Sequence, residues 1–148
     1  MHPNFSITTN VDSSYLVVAN RFDITLFENL APAFPKIKVL RFDGCHKGNE
    51  VHIEMNLFIT KQYWNALVIE QSKSADEWYF VDKGIVLPFP LRFWQHRHII
   101  KRQENDTSNI IDAIEYKTGF LILDFLMLPF FYAQFAARKP IYKKYFSK

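Results

Sequence analysis

Residues 93–102 read Phe-Trp-Gln-His-Arg-His-Ile-Ile-Lys-Arg. Successive side chains of a β-strand point to opposite faces, so every second residue of this segment shares a face. One set is polar or charged: Gln95, Arg97 and Lys101. The other set combines apolar side chains with two imidazoles: Trp94, His96, His98 and Ile100. This pattern predicts a strand of an antiparallel sheet whose second set faces the interior.

The next segment predicts the partner of this strand. Alternate residues between 110 and 116 again form a mostly apolar face: Ile110, Asp112, Ile114 and Tyr116. A three-residue turn at 104–106 would pair Gln103 with Thr107. Counting back from that pair places His98 opposite Asp112.

A second inward carboxylate is expected on the strand before, where Phe80 and Asp82 share a face. Asp82 would then lie near His96 or His98, so that two carboxylates and two imidazoles meet. Such a group can be a buried hydrogen-bond network that also orients a ligand. It can be an acid–base site, with His98 and Asp112 as candidate catalytic residues, or a metal site. Buried polar groups are usually hydrogen-bonded to one another, which favours the first interpretation. No resident metal or cofactor is expected.

The rest of the chain predicts an α+β architecture. Alternation and capping residues indicate a strand, two short helices, about six strands and one long helix. The segments are 5–11 for the first strand, 15–19 and 24–30 for the short helices, and 37–42, 51–57, 63–70, 78–81, 93–102 and 110–116 for the later strands. One apolar helix after Gly119 must cover one face of an antiparallel sheet.

Composition fits one domain over residues 1–148, with 17% aromatic residues and a formal net charge of +3. A weak charge with no basic stripe argues against a nucleic-acid partner. Cys45 is the single cysteine and reads as an ordinary turn residue, so no internal disulfide framework is expected. With no signal peptide apparent at the N-terminus, we expect a cytoplasmic protein.

The apolar run from Gly119 to Ala137 has two open interpretations. Asp124, Pro129 and Gln134 interrupt it, which favours a buried helix with a kink at Pro129 over a transmembrane span. An interfacial helix that touches a membrane transiently is the alternative. Six residues of this helix recur at helical spacing and would share one side of it: Phe120, Asp124, Met127, Phe131, Gln134 and Phe135. This side would belong either to the core or to the wall of a pocket.

Several of these segments together resemble the SRPBCC ligand-binding proteins of the START-like, or birch-pollen-allergen-like, superfamily. Residues 88–98, Pro-Phe-Pro-Leu-Arg-Phe-Trp-Gln-His-Arg-His, are similar to that family's Pro-Phe…Trp-x-His-x-His segment. Phe80-Val81-Asp82 and Asp112-Ala113-Ile114-Glu115-Tyr116 resemble its flanking strands. Trp64 with Val68 and the Phe135-Ala136-Ala137-Arg138 segment are similar to two further motifs.

The resemblance implies a helix-grip fold, in which a seven-stranded antiparallel sheet wraps round the C-terminal helix and encloses a cavity for a hydrophobic ligand. The first functional hypothesis is therefore binding or transport of a lipid-like or polycyclic molecule. The expected ligand-binding residues are Trp64, Phe80, Asp82, Trp94, His96, His98, Asp112, Tyr116, Asp124, Met127 and Phe131.

Two alternatives stay open. One is a polyketide-type cyclase or dehydratase that uses His98 as general base. The other is a protein-interaction or membrane-surface module that uses the basic C-terminal end, which contains Arg138, Lys139, Lys143, Lys144 and Lys148. An interaction module predicts a filled interior, whereas binding and catalysis both predict a cavity.

Overall fold

A computed structural model describes residues 2–147. The strands are β1 (Asn4–Val11), β2 (Lys36–Phe42), β3 (Glu50–Asn56), β4 (Lys61–Lys73), β5 (Glu77–Val86), β6 (Phe93–Arg102) and β7 (Ser108–Lys117). The helices are α1 (Tyr15–Asn20), α2 (Ile24–Asn29), α3 (Leu121–Ala136) and α4 (Arg138–Tyr145), with a 3₁₀ turn at Glu104–Asp106. The predicted order of elements is confirmed, and Lys148 of the basic C-terminal group lies outside the described residues.

The seven strands form one antiparallel sheet in the order β1-β7-β6-β5-β4-β3-β2. Irregular pairing interrupts the β4–β5 ladder near Asn65 and again near Val68. Such bulges bend a strand and increase its twist, which curves the sheet toward the helices. The expected register of the last hairpin is confirmed, because Gln103 pairs with Thr107 and His98 lies opposite Asp112.

The two short helices begin where the sequence predicts. The Ser14 hydroxyl accepts a hydrogen bond from the Val17 amide, and Asp23 accepts one from the Leu26 amide. Each side chain thereby satisfies an amide that has no partner within its helix. α1 lies near the β4–β5 and β6–β7 turns, where the Tyr15 hydroxyl donates to the carbonyl of Ser74. The C-terminal helices pack against the inward face of the sheet.

The C-terminal helix continues through Pro129, and its interruption comes at Ala137 instead. Pro140 explains the position, because it has no amide hydrogen to donate to the carbonyl of Ala136. Pro129 sits on the exposed side of α3, together with Phe125. The helix thus ends at Ala136 and not at Pro129, and the kink expected at Pro129 stays a prediction.

The C-terminal helix is far more exposed to solvent than the sequence predicts. Phe131 and Phe135 pack against the sheet, but the opposite side of α3 is exposed and apolar. Leu121–Tyr145 is long and apolar enough to cross a bilayer, and only 17% of its most apolar 18-residue window is buried. The expectation of a buried helix therefore holds for one face alone.

Candidate functional site

A cavity of about 370 Å³ lies between the sheet, α2 and the C-terminal helices. Inward residues of the strands β2 to β6 form one wall, and the helices α2, α3 and α4 form the other. The sheet contributes Trp64, Ala66, Val68, Phe80, Asp82, Trp94, His96 and His98, and the helices contribute Met127, Phe130, Phe131, Gln134, Phe135, Arg138 and Tyr142. A cavity of this size lined mostly by apolar side chains can hold a small organic molecule.

The polar groups of the cavity gather on one part of its wall. Nε2 of His98 lies 2.6 Å from Oδ2 of Asp82, and Nε2 of His96 lies 2.8 Å from Oδ1 of Asp112. An ionised carboxylate only accepts hydrogen bonds, so each imidazole must carry its proton on Nε2. Each carboxylate therefore fixes the orientation and the tautomer of its histidine.

His98 is held in place by stacking as well as by hydrogen bonding. Its ring stacks on Phe80 at 4.2 Å between centroids and on His96 at 3.5 Å. Its Nδ1 atom is buried and has no hydrogen-bond partner. This atom lies 4.0 Å from Oδ1 of Asp112 and is covered by neighbouring side chains. In the neutral ring it is an acceptor, and a ligand hydroxyl or amide that displaces those side chains can donate to it.

Burial and mutual proximity set the charges of this group. Burial, followed by the nearby His98, lowers the pKa of His96 to about 4. Burial alone would raise the pKa of both Asp82 and Asp112, but the hydrogen bonds from the imidazoles and the positive charges nearby hold the pKa of each below its ordinary value. At neutral pH the site thus contains two carboxylates and a neutral His96.

Among the lining residues outside the predicted ligand-binding set, Arg138 and Cys45 could bear on the chemistry of the site. Arg138 lines the cavity, with Nη1 3.9 Å from Oδ1 of Asp112. The Phe135-x-x-Arg138 motif was visible in the sequence, but its position beside Asp112 depends on how α4 meets the sheet. Cys45, interpreted as a turn residue, also lines the cavity, and burial raises its pKa to about 12.

The predicted ligand-binding residues divide into three groups. Those that line the cavity are Trp64, Phe80, Asp82, Trp94, His96, His98, Met127 and Phe131. Asp112 lies behind the wall and reaches the cavity through His96. Tyr116 and Asp124 lie elsewhere, in a contact between β7 and the start of α3.

The carboxylate and the carbonyl of Asp124 accept hydrogen bonds from neighbouring residues of the fold. Its Oδ1 accepts hydrogen bonds from the backbone amide and from the hydroxyl of Thr118, at 2.6 and 2.7 Å. Its carbonyl accepts one from the hydroxyl of Tyr116. The expectation that Asp124 and Tyr116 face the cavity is corrected, because a carboxylate near a helix N-terminus finds nearer partners in the preceding turn.

Asp82, His96 and His98 could hold a metal ion, since their candidate ligand atoms lie within 4.8 Å of one another. The Nε2 atoms of both imidazoles are already bound to carboxylates. An ion would have to bind through their Nδ1 atoms or displace the contact between Asp82 and His98. The arrangement present favours a hydrogen-bond network.

No family model and no curated protein matches the sequence. Solved structures do match the fold. Norcoclaurine synthase from Thalictrum flavum, a point mutant in complex with a transition-state analogue, has a TM-score of 0.63 at 14% identity, over 93% of this chain and 91% of that chain. This protein has the helix-grip fold.

Two further matches agree. Major latex-like protein 151 from Panax ginseng has a TM-score of 0.61 at 11% identity, over 95% of this chain and 97% of that chain. A START superfamily protein from Mycobacterium smegmatis has a TM-score of 0.60 at 10% identity, over 95% of this chain and 98% of that chain. Likeness at such low identity concerns the fold, and activity has to be argued from the site.

Proposed function

We propose that this protein binds a small hydrophobic molecule with one polar end and carries it in the cavity between the sheet and α3. The observation that supports this best is the distribution of polarity along the cavity wall. Apolar and aromatic side chains cover most of the wall, while Asp82, His96, His98 and Arg138 are grouped together. A ligand with a lipid-like or polycyclic body and a hydroxyl, carbonyl or carboxyl end matches that distribution.

The two ends of such a ligand would be recognised differently. The Trp64 and Trp94 indoles lie edge to face at 4.8 Å between centroids and offer flat apolar surface to the body. The unpaired Nδ1 of His98 would accept a hydrogen bond from a ligand hydroxyl, and Arg138 would donate to a carbonyl or carboxylate. A single free cysteine agrees with a cytoplasmic location, where thiols stay reduced.

The test uses the protein purified under native conditions. Solvent extraction followed by mass spectrometry should recover a stoichiometric hydrophobic compound, and anilinonaphthalene sulfonate should bind the extracted protein and fluoresce. The substitution Ala66→Phe places a ring in the cavity and should abolish both signals. Ala75→Phe is the matched control, because Ala75 is exposed in the β4–β5 turn. Equal probe binding by the two variants would refute the proposal.

A second candidate function is acid–base catalysis on a polyketide-like substrate. It is favoured by the same Nδ1 atom, since an imidazole oriented by a carboxylate and left with a free lone pair can take a proton from a bound substrate. His98 would be the base, and Asp82 would orient it. Turnover lost in His98→Gln with probe binding retained would favour catalysis over carriage.

A further inference from the structure

The exposed side of α3 carries apolar side chains where a helix on a protein surface normally carries charge. Its exposed apolar residues are Leu121, Ile122, Phe125, Leu126, Phe130 and Tyr132. Asp124 is the one charged residue of α3, and it is buried against Thr118. Ile122, Leu126 and Phe130 recur every four residues and form a continuous row along the helix.

This row runs to the edge of the cavity. Phe34, Phe89 and Phe130 line the cavity and are nevertheless 46%, 82% and 48% exposed, so they mark its mouth. Phe34 stacks on Phe58 at 5.3 Å between centroids. Phe58 and Ile59 form the tip of the β3–β4 loop and are 87% and 97% exposed. Exposed apolar side chains that are grouped together, and not scattered singly, mark an interaction site.

The segments that precede and follow α3 in the sequence are basic. Lys117 precedes α3 and is exposed, and the Arg92 guanidinium lies 6.0 Å from the ring centroid of Phe120. Lys139, Lys143 and Lys144 are exposed on α4. From Lys117 to Ser147 the chain contains one carboxylate side chain, and it is that of the buried Asp124. Apolar side chains bordered by cations match the interface of an anionic bilayer, which has apolar chains beneath negative headgroups.

We propose that the row of α3 together with the β3–β4 loop tip docks on the surface of an anionic phospholipid bilayer, with the cavity mouth facing the lipid. A second copy of the chain on this face would cover the mouth. A bilayer would leave it open to the phase from which an apolar ligand comes. The choice of a bilayer over a second copy rests in part on the proposed ligand binding. The presence of the exposed apolar surface does not depend on it.

Vesicle flotation tests the docking. The intact chain should float with vesicles of phosphatidylcholine and phosphatidylglycerol in equal parts, and weakly or not at all with phosphatidylcholine alone. The double substitution Ile122→Ser and Leu126→Ser removes apolar surface without adding charge, and should lower the partition coefficient by about tenfold or more. Leu16→Ser is the matched control, because Leu16 is an exposed leucine of α1 near the opposite end of the sheet.

The outcomes separate the possible occupants. Absence of the intact chain from floated vesicles, or equal flotation of the double variant, would overturn the proposal. A dimer in analytical ultracentrifugation that the double substitution dissociates, without vesicle binding, would assign the face to a second copy. Anilinonaphthalene sulfonate binding, measured on the same samples, tests the cavity separately, since neither Ile122 nor Leu126 lines it.

Discussion

His98 and Asp82 are joined by a hydrogen bond of 2.6 Å although they do not lie opposite each other in the sheet. Across β5 and β6, Asp82 pairs with His96 and His98 pairs with Phe80. The bond between His96 and Asp112 is diagonal in the same way, because the backbone partner of Asp112 is His98. Diagonal neighbours are within reach of long side chains on a twisted antiparallel sheet.

The His98–Asp82 bond should matter more for ligand binding than for folding. Asp82→Asn keeps an acceptor but removes the charge that holds the proton of His98 on Nε2. We expect a five- to tenfold weaker affinity for anilinonaphthalene sulfonate, which corresponds to about 1–1.4 kcal/mol. Nitrogen NMR should show loss of the single imidazole tautomer. Asp76→Asn, at an exposed carboxylate, is the control, and the same affinity in both variants would contradict the role.

Stability should decrease as the pH falls from 7 to 5, and His96 is the cause. Its folded pKa of about 4 lies below the unfolded value of about 6.5, so in this range the unfolded chain binds a proton that the folded chain refuses. The stabilisation that comes from keeping His96 neutral is therefore present above the unfolded pKa and is lost on acidification. The free energy of unfolding should fall by about 2 kcal/mol between pH 7 and 5.

Urea unfolding at several pH values measures this slope. His96→Gln should flatten it, whereas His46→Gln, at an exposed histidine, should leave it unchanged. Below about pH 4 a further loss is expected from Asp82 and Asp112, whose folded pKa values are also lowered. A slope in His96→Gln as steep as in the parent protein would assign the effect to another group.

Cys45 should be unreactive while the protein is folded. Burial, with smaller contributions from Asp82 and Asp23, raises its pKa to about 12, so little thiolate exists at pH 8. We expect alkylation by iodoacetamide to be at least about a hundredfold slower in the native protein than in urea. Since Cys45 lines the cavity, a bound ligand should slow the native reaction further. Native labelling as fast as in urea would mean that the thiol is exposed.

Asp124 should contribute to stability and not to ligand binding. Asp124→Ala removes the acceptor of two hydrogen bonds and leaves the Thr118 amide buried and unpaired, while the Thr118 hydroxyl keeps its bonds to Phe120. We expect a loss of about 1–3 kcal/mol in the free energy of unfolding. Affinity for anilinonaphthalene sulfonate should stay unchanged at temperatures where the variant is folded. Weaker probe binding with normal stability would mean that Asp124 belongs to the ligand site.

Alternation alone was enough to predict much of the site. The inward faces of β5, β6 and β7 follow from residue type, because a half-buried strand separates apolar from polar side chains at every step. The turn at 104–106 then fixed the register of His98 and Asp112. Backbone register, however, does not decide which side chains form hydrogen bonds. Each imidazole is hydrogen-bonded to the carboxylate diagonal to it and not to the residue opposite.

The sequence by itself determined the order of the elements, the faces of the strands and the presence of two histidines and two carboxylates inside, since these depend on local pattern. Only the tertiary structure decided that Cys45 and Arg138 reach the cavity and that Asp124 does not. These placements depend on how distant segments meet and on which partner is nearest. It also decided that one side of α3 remains uncovered. The spacing of Asp124, Phe131 and Phe135 indicated which side of α3 faces the sheet, but the residues on its other side are apolar as well, so the sequence did not show that this side stays exposed.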